Sequence, residues 1–304
     1  MKRGLAAVTG GTGFLGRRVV ERLTAEGWRV RQLVRTPRPG ITEAVEGSLT
    51  DEGALARLVE GVDLVVHMAA LTKCHDAKGF RQINVGGSRN LGHAIRAHAP
   101  SAKVVVVSSL AAREPTLSPY AASKAAGEVA VLDCSNARCF AVVRPCALYG
   151  PGDPATLPVF RAAQLPILPF PDRPLARLAL LHVDDAASAI AAACRPQARN
   201  VFWEVGAGAF SWARVFRSAA AAMDRDPAML PVPAGLLALG IKLVRAVKPG
   251  ISPLTSPGKL AELLHDDWAC DPARLPPDAL WRPGIELDAG FKATAQWYRA
   301  HGWL

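Results

Sequence analysis

A tyrosine and a lysine four residues apart are the first side chains of this sequence whose types and spacing suggest chemistry. Tyr120 and Lys124 lie in the heptapeptide SPYAASK, and residues at positions i and i+4 share one face of a helix. A free phenol titrates at about pH 10, and a neighbouring ammonium stabilises its ionised form. The pair therefore predicts a general acid/base whose pKa is lowered by the lysine. The alternative is a half-buried tyrosine beside a solvated lysine.

A serine is predicted to reach the same place from a neighbouring strand. The strand at residues 103–107 is followed by Ser108 and Ser109, and in an open parallel sheet the carboxyl ends of the strands face the ligand crevice. We expect Ser109 to hydrogen-bond the substrate carbonyl or alcohol oxygen that Tyr120 protonates or deprotonates. Capping of the following loop is the structural alternative for this serine.

A glycine-rich turn, TGGTGFLG at residues 9–16, lies between a predicted buried strand and a predicted helix. Glycines permit a tight turn and a close approach of the backbone to a pyrophosphate, while the amides and dipole of the helix N-terminus bind the anion. The spacing fits GxGxxG or GxxGxxG, with Gly11 or Gly10 as the first glycine and Gly13 and Gly16 as the others. Its position between strand and helix predicts a dinucleotide site.

The end of the second predicted strand indicates which dinucleotide binds. An NAD site places Asp or Glu there for the ribose 2′-hydroxyl, whereas this strand ends in the sequence LVRTPR with Arg35. A guanidinium suits a 2′-phosphate, so NADP(H) is favoured and NAD(H) is the alternative. Arg17 is either a second phosphate contact or a solvent-facing side chain.

The elements that must position these residues alternate short β-branched runs with longer segments of helical period. Near-continuous Val and Leu runs predict strands covered on both faces, as in a parallel sheet flanked by helices. The expected strands are 5–8, 28–34, 62–68, 103–107 and 139–143, and the expected helices are 14–25, 51–60, 80–98 and 120–132. We therefore predict an α/β fold with a doubly wound parallel Rossmann sheet.

Beyond Arg144 the sequence changes character, because prolines interrupt it repeatedly. Such a stretch predicts short helices and extended segments, which we interpret as a smaller, irregular C-terminal substrate lobe. The predicted dinucleotide-binding domain comprises residues 1–150 plus about 182–198, and the predicted lobe comprises 151–181 and 199–304.

Composition excludes several classes of function. The 304 residues include 36 Lys and Arg against 26 Asp and Glu, a net charge of +10, but no dense basic run, which favours a basic surface over a nucleic-acid partner. Six cysteines without a CxxC pair or ligand-like spacing to histidines indicate neither a metal site nor a disulfide framework, so a cytoplasmic location is expected.

The longest apolar helix candidate, residues 234–247, contains Lys242 and Arg245. It is shorter than the roughly 20 residues that a membrane span needs, so no span is predicted. The apolar stretch at 235–247 and the aromatic-rich tail suggest a small-molecule substrate that is hydrophobic. Lobe packing or a dimer contact would explain the same stretch.

Motifs in one order along the chain resemble those of the extended short-chain dehydrogenases/reductases, the NAD-dependent epimerase/dehydratase superfamily. They are TGGTGFLG at 9–16, HMAA at 67–70, NVGGSRNL at 84–91, Ser108–Ser109, YAASK at 120–124, Arg144–Pro145 with LYGPGD at 148–153, and HVDDA at 182–186. The resemblance covers roughly residues 4–210, and the remaining third is similar only in outline.

The resemblance implies a role for each matching position. Tyr120 would be the general acid/base, Lys124 would lower its pKa and hold the nicotinamide ribose, and Ser109 would orient the substrate oxygen. The implied cofactor contacts are Gly10, Thr12, Gly13, Phe14, Leu15, Gly16, Arg35, Ala69, Ala70, Asn84, Tyr120, Lys124 and Pro145. A buried asparagine tying helix to sheet explains Asn84 equally well, and His182 and Asp184 are expected to be structural.

Two departures from the family's pattern bear on the function. Ser48 stands where many relatives carry an Asp that contacts the adenine, and Arg144 is followed by Pro-Cys-Ala rather than by the Asn usual in sugar-nucleotide epimerases. The latter form resembles the 3β-hydroxysteroid dehydrogenase and dihydroflavonol reductase branch.

The leading hypothesis is therefore an NADP(H)-dependent enzyme that interconverts a ketone and a secondary alcohol by hydride transfer. A sugar-nucleotide epimerase or dehydratase with tightly bound NAD is the alternative. The resemblance also implies a homodimer through helices 80–98 and 120–132, with a monomer as the alternative.

Overall fold

The computed structural model describes residues 3–74, 76–233, 235–236, 239–240 and 258–304. The strands of this part of the chain are β1 Leu5–Thr9, β2 Arg29–Val34, β3 Glu43–Glu46, β4 Leu64–His67, β5 Lys103–Val107, β6 Phe140–Pro145, β7 Ala147–Tyr149, β8 Ile167–Pro171, β9 Arg177–His182, β10 Val201–Val205, β11 Ala207–Phe210, β12 Ala228–Val232 and β13 Asp267–Trp268. The α-helices are α1 Phe14–Ala25, α2 Glu52–Val59, α3 Ala77–Phe80, α4 Gly87–His98, α5 Pro119–Ser135, α6 Leu157–Ala162, α7 Val183–Ala193, α8 Trp212–Ala222, α9 Lys259–Leu264 and α10 Leu287–Ala300.

Seven strands form a parallel central sheet in the order β10-β6-β5-β4-β1-β2-β3. The Val-rich β4 and β5 are almost entirely buried, as expected of strands covered on both faces. One face packs against α1 and α7 and the other against α2, α4 and α5. The predicted doubly wound α/β Rossmann fold is confirmed.

The strand order reverses between β1 and β4, where Thr9 is the register partner of His67. In an open α/β sheet, ligands bind outside the carboxyl ends of the strands at such a switch point. The glycine-rich turn follows β1 directly, and the HMAA segment begins with the last residue of β4. The topology therefore brings two of the sequence motifs to one crevice.

Side-chain caps fix where several helices begin. Asp51 caps α2 by accepting a hydrogen bond from the Ala54 amide at 2.9 Å, and Ser118 caps α5 by accepting one from the Ala121 amide at 2.9 Å. Pro119 at the first position of α5 costs no hydrogen bond, because the first amides of a helix have no partner within it. A π-helical turn at Arg81–Gly86 joins α3 to α4 and contains the buried Asn84.

A second part of the chain carries its own core and smaller sheets. β11, β9 and β13 are paired side by side with β7 added to β9, and β12 pairs with β8. Aromatic side chains dominate the interior of this region, among them Tyr149, Phe160, Phe291 and Tyr298, each at most 1% exposed.

The structure departs from the sequence-based domain division at β10. The predicted lobe resumes at residue 199, but Val201–Val205 pairs with β6 as an edge strand of the central sheet. The run VFWEV has its last three residues buried against the sheet, so it completes the first core rather than the second. The apolar stretch at 235–247, with its suggested part in substrate binding, lies outside the described residues except for 235–236 and 239–240.

Candidate active site

The glycine-rich turn is held closed by contacts that allow no larger residue at two positions. Gly10 has a φ of +77°, which favours glycine, and a Cβ on it would lie 2.7 Å from the Ala69 amide nitrogen. A Cβ on Gly16 would overlap the carbonyl oxygen of Gly10. Because Gly13 is exposed and its Cβ would meet only one ordinary contact at 3.4 Å, the turn leaves a cradle beside the N-terminus of α1 for a phosphate-bearing ligand.

The turn meets the end of β2 at an open cleft of about 350 Å³, lined by Thr12, Val34, Arg35, Thr36 and Arg38. Both arginines are exposed. The structure thus brings Thr12 and Arg35, two predicted cofactor residues, to the same space. Arg38 adds a second guanidinium there, while Arg17 is exposed on α1 outside that lining.

Ser109 and Tyr120, predicted from separate segments, lie near each other, because the Ser109 hydroxyl acts on the pKa of the Tyr120 phenol. Ser109 follows β5 and also accepts a hydrogen bond from the Ala111 amide at 3.2 Å, which caps the 3₁₀ turn Leu110–Arg113. The capping role and the role beside the tyrosine are therefore compatible. Tyr120 lies in the first turn of α5, and its ring packs edge-on against Phe80 at 5.9 Å.

Burial is the main cause that raises the pKa of Tyr120 to about 12; the nearby Ser109 hydroxyl opposes this rise, and the Glu262 carboxylate makes a smaller contribution to it. The expected lowering by Lys124 is not found. Removing the phenolate from water outweighs the neighbouring cation in the protein without cofactor. Tyr120 is therefore a protonated donor at neutral pH.

Lys124 donates a hydrogen bond from Nζ to the Val107 carbonyl oxygen at 3.0 Å. Burial lowers the pKa of Lys124 to about 8, and the nearby Glu128 carboxylate limits that fall. Glu128 itself is buried and paired with Arg144, its Oε2 lying 2.7 Å from the guanidinium Nη2. Arg144 begins the Arg-Pro-Cys-Ala segment that differs from the family's pattern. Its guanidinium is therefore held in an ion pair inside the protein.

All hydrogen-bonding groups of the buried Asn84 side chain have partners within the protein. Its amide oxygen accepts from the Leu71 nitrogen at 2.7 Å, and its amide nitrogen donates to the Leu71 carbonyl at 3.0 Å and to the Ser123 hydroxyl at 2.9 Å. Ser123 in turn donates to the Tyr120 carbonyl at 2.8 Å. Asn84 therefore ties the loop after β4 to the helix that carries Tyr120, which agrees with the structural interpretation of this residue.

His67 is the centre of a second buried network that sequence reasoning missed. Ser88 donates its only proton to the Asn84 carbonyl at 2.6 Å, so it must accept from His67 Nε2 at 2.9 Å. Nδ1 of His67 is then unprotonated and accepts from the Thr9 hydroxyl at 2.8 Å. Burial, followed by the charge of Lys124, lowers the pKa of His67 to about 3, and the ring is neutral at physiological pH.

The other predicted cofactor residues fall around the same crevice. Phe14 and Leu15 open α1 and are half-buried, and Pro145 ends β6, buried at the carboxyl edge of the sheet. Ala69 and Ala70 share a small cavity with Asn84, Ser123 and Lys124. Ser48 stands where many relatives carry an Asp. Its hydroxyl oxygen is hydrogen-bonded to that of Thr50, 2.9 Å away.

Glu262 is the site residue for which the sequence held no signal, because it lies 144 positions after its partner Ser118. Its carboxylate accepts a hydrogen bond from the hydroxyl that caps α5. Ser118 itself was recognisable, since a serine immediately before proline is a typical start of a helix. His182 and Asp184 stay at the junction of β9 and α7, where His182 accepts from the Asp184 amide at 3.3 Å.

Within the described ranges, no three or more His, Cys, Asp or Glu side chains are grouped so that they could bind a metal ion. No helix among those residues is long and apolar enough to cross a membrane. The six cysteines are all unpaired thiols.

A nicotinamide dinucleotide fits the residues present. The cradle beside α1 would be filled by side chains at Gly10 or Gly16, and Ser109, Tyr120 and Lys124 lie at the same carboxyl edge of the sheet, beyond the switch point between β1 and β4. A phosphate cradle next to an acid/base is the arrangement of an NAD(P)-dependent oxidoreductase.

Comparison with known proteins gives the family. Residues 6–206 match the model of the NAD dependent epimerase/dehydratase family, and the chain belongs to that family. It is 40% identical, over 318 aligned positions covering 99% of this chain and 96% of the relative, to a ceramide reductase of Caulobacter vibrioides (strain NA1000 / CB15N). It is 32% identical to a 2-alkyl-3-oxoalkanoate reductase of Stenotrophomonas maltophilia (strain K279a), over 50% of this chain and 53% of the relative.

Among solved structures, the UDP-glucose 4-epimerase of Thermus thermophilus in complex with NAD superposes with a TM-score of 0.68 at 23% identity, covering 97% of this chain and 99% of the epimerase. This likeness concerns the fold. Together with the family match, it establishes a nicotinamide-dependent enzyme of the extended short-chain dehydrogenase/reductase type.

Proposed function

We propose that this protein is an NADP(H)-dependent reductase that converts a ketone on a lipid of the ceramide class into a secondary alcohol. The observation that carries the proposal is the position of Ser109 just after β5, together with Tyr120 and, one helical turn later, Lys124 on α5, at the carboxyl edge of the sheet. The relatives support the direction and the substrate, since both are reductases and the one that spans the whole chain is named for ceramide.

A nicotinamide cofactor bound in the crevice would supply the hydride that reduces the carbonyl carbon. The residues of this chain act on the carbonyl oxygen. The Ser109 hydroxyl orients that oxygen, and the Tyr120 phenol donates its proton to it. The phenolate then regains a proton from solvent.

The electrostatics of Tyr120 support reduction over oxidation. With a pKa of about 12, the phenol is fully protonated at neutral pH and ready to act as an acid. Oxidation of an alcohol would need the phenolate, which burial disfavours. The hydrogen bond from Lys124 Nζ to the Val107 carbonyl, at the end of β5, supports the assignment of this lysine to the nicotinamide ribose.

The preference for NADP(H) rests on charge. Arg35 and Arg38 line one cleft with Thr12 of the glycine-rich turn, and the end of β2 presents no carboxylate there. Two guanidiniums complement a 2′-phosphate and leave the ribose hydroxyl of NAD without an acceptor.

The function is tested by incubating the purified protein with NADPH and a keto-ceramide. We expect net loss of reduced-nicotinamide absorbance and a product heavier by two hydrogens, and Tyr120→Phe should keep cofactor binding while losing at least about a hundredfold in turnover. Tightly bound NAD with no net oxidation of NADPH by any ketone would instead identify an epimerase or dehydratase.

The dimer implied by the resemblance forms part of the proposal. Ala122, Ala126 and Val129 lie on the exposed face of α5, and Val129 is 58% exposed. Light scattering should give twice the chain mass, and Val129→Glu should shift that mass to the monomer. A parent protein of monomeric mass would remove this part of the proposal.

A further inference from the structure

The helix that carries Tyr120 is anchored by a carboxylate from a distant part of the chain. Glu262, on the short helix α9, is 6% exposed and accepts a hydrogen bond from the equally buried Ser118. The same Ser118 oxygen accepts from the Ala121 amide at 2.9 Å and so forms the cap of α5. Tyr120 lies between Ser118 and Ala121, in the first turn of the helix.

The contact is built by several independent features. Gly258 has a φ of +77°, and a Cβ there would lie 2.5 Å from the Ser118 Cβ, so glycine is what lets the two segments approach. Trp268 donates from Nε1 to the Glu262 carbonyl at 2.7 Å. The carboxylate Oε2 of Glu262 is paired with Lys259 Nζ at 2.8 Å.

The charge of Glu262 acts on the Tyr120 phenol. A carboxylate near the first turn of a helix is stabilised by the helix dipole, and its field reaches Tyr120, whose pKa it raises. Among the described residues, Lys259 is paired with Glu262, and Lys124 lies one turn beyond Tyr120 with Glu128 next to it.

We propose that Glu262 is a positioning residue of the reaction: through Ser118 and its own buried charge it fixes the first turn of α5, from which Tyr120 acts. The proposal rests on the proposed function of Tyr120 as the proton donor. It assigns the segment 258–268 a part in the active site rather than in packing alone.

The central test is Glu262→Gln, which keeps an oxygen that can accept from Ser118 and removes the charge. The pH above which ketone reduction declines should move to lower pH, because Tyr120 then loses its proton more easily. At a fixed pH below that limit, oxidation of the alcohol should become faster, by about tenfold if the limit moves by one pH unit. A folded Glu262→Gln enzyme whose pH profile coincides with that of the parent would overturn the proposal.

Asp288→Asn is the matched control, since it breaks an exposed ion pair with Arg214, 2.7 Å apart, and should leave the profile unchanged.

A readout without substrate separates this proposal from the proposed function. The sequence has only three tyrosines, so ¹³Cζ-tyrosine NMR with Tyr120→Phe as reference identifies the Tyr120 resonance. Its titration should move to lower pH in Glu262→Gln and stay in place in Asp288→Asn. This shift would support the role of Glu262 even if no ketone proved to be a substrate, and an unchanged titration in Glu262→Gln would overturn it even in an active reductase.

Discussion

The Thr9 hydroxyl donates a hydrogen bond to Nδ1 of His67 at 2.8 Å, across the point where the strand order of the central sheet reverses. The same Thr9 oxygen accepts from the Met68 and Ala69 amides, each at 3.2 Å. A neutral imidazole therefore holds together the two loops that form the crevice. His67 cannot take up a proton without opposing this arrangement, since Nδ1 is an acceptor.

Acid should destabilise the protein through His67. Its pKa is lowered from 6.5 to about 3 in the folded state, so between these pH values the unfolded chain binds more protons than the folded one and stability falls as pH falls. Urea unfolding at pH 7 and pH 5 should show this loss. His67→Gln, which stays neutral, should be less stable at pH 7 but lose less on acidification. An equal loss in both proteins would exclude His67 as the source.

Two glycines of the turn should respond differently to a single methyl group. Gly16→Ala places a Cβ against the Gly10 carbonyl oxygen, and we expect a loss of roughly 1–3 kcal/mol of stability in the cofactor-free protein, as in other overpacked sites. Gly13→Ala meets only a 3.4 Å contact and should keep that stability while weakening binding of the dinucleotide at the exposed cradle. Thermal unfolding and cofactor titration measure the two effects, and equal thermal stability in both variants would contradict the geometry.

Removal of the Asn84 amide should impair both folding and turnover. Asn84→Ala leaves the Leu71 backbone groups without their buried partners, at a cost of about 1–3 kcal/mol for each unsatisfied group. The Ser123 contact to the helix of Tyr120 is lost as well. Asn90→Ala removes a single bond, from Nδ2 to the Leu49 carbonyl at 3.1 Å, and should cost less in chemical denaturation and nothing in kcat. A similar kcat for both variants would show that Asn84 does not position α5.

Cofactor preference should follow the arginines of the cleft. Arg35→Ser removes a guanidinium that lines the same cleft as Thr12, and we expect KM for NADPH to rise by roughly 10- to 100-fold, in line with the loss of a charge-assisted contact. KM for NADH should change little. Arg17→Ser, which removes an exposed arginine outside the cleft lining, is the control. An equal change in KM for both cofactors would show that Arg35 does not contact the 2′-phosphate of NADPH.

Strands and helices with strong hydrophobic periodicity were predictable from the sequence. The helix at 14–25 and the strand at 103–107 have the predicted bounds, because their burial is decided by local pattern. The strand Glu43–Glu46 was missed, since a four-residue edge strand with two glutamates has no such pattern. Val201–Val205 was assigned to the lobe because its partner β6 is about 60 positions away in sequence, as the register pair Val201 and Ala141 shows.

Some features of the candidate site could likewise be predicted from local sequence, and others could not. Tyr120, Lys124 and the glycines follow from spacing on one element, and Ser109 from its place at the end of a strand. The direction in which the pKa of Tyr120 shifts could not be predicted from the sequence. It depends on burial and on Glu262, which no local pattern connects to α5. The protonation state of such a buried group is set by three-dimensional packing.

The contact between Ser118 and Glu262 also has a consequence for synthesis of the chain. Its partners are 144 positions apart, so a ribosome that has released α5 has already produced Tyr120 and Lys124 but not the residue that anchors their helix. Contacts of such separation form late, because the intervening loop must be closed first. On the proposed function, a nascent chain would therefore contain its proton donor before the carboxylate that anchors that donor's helix.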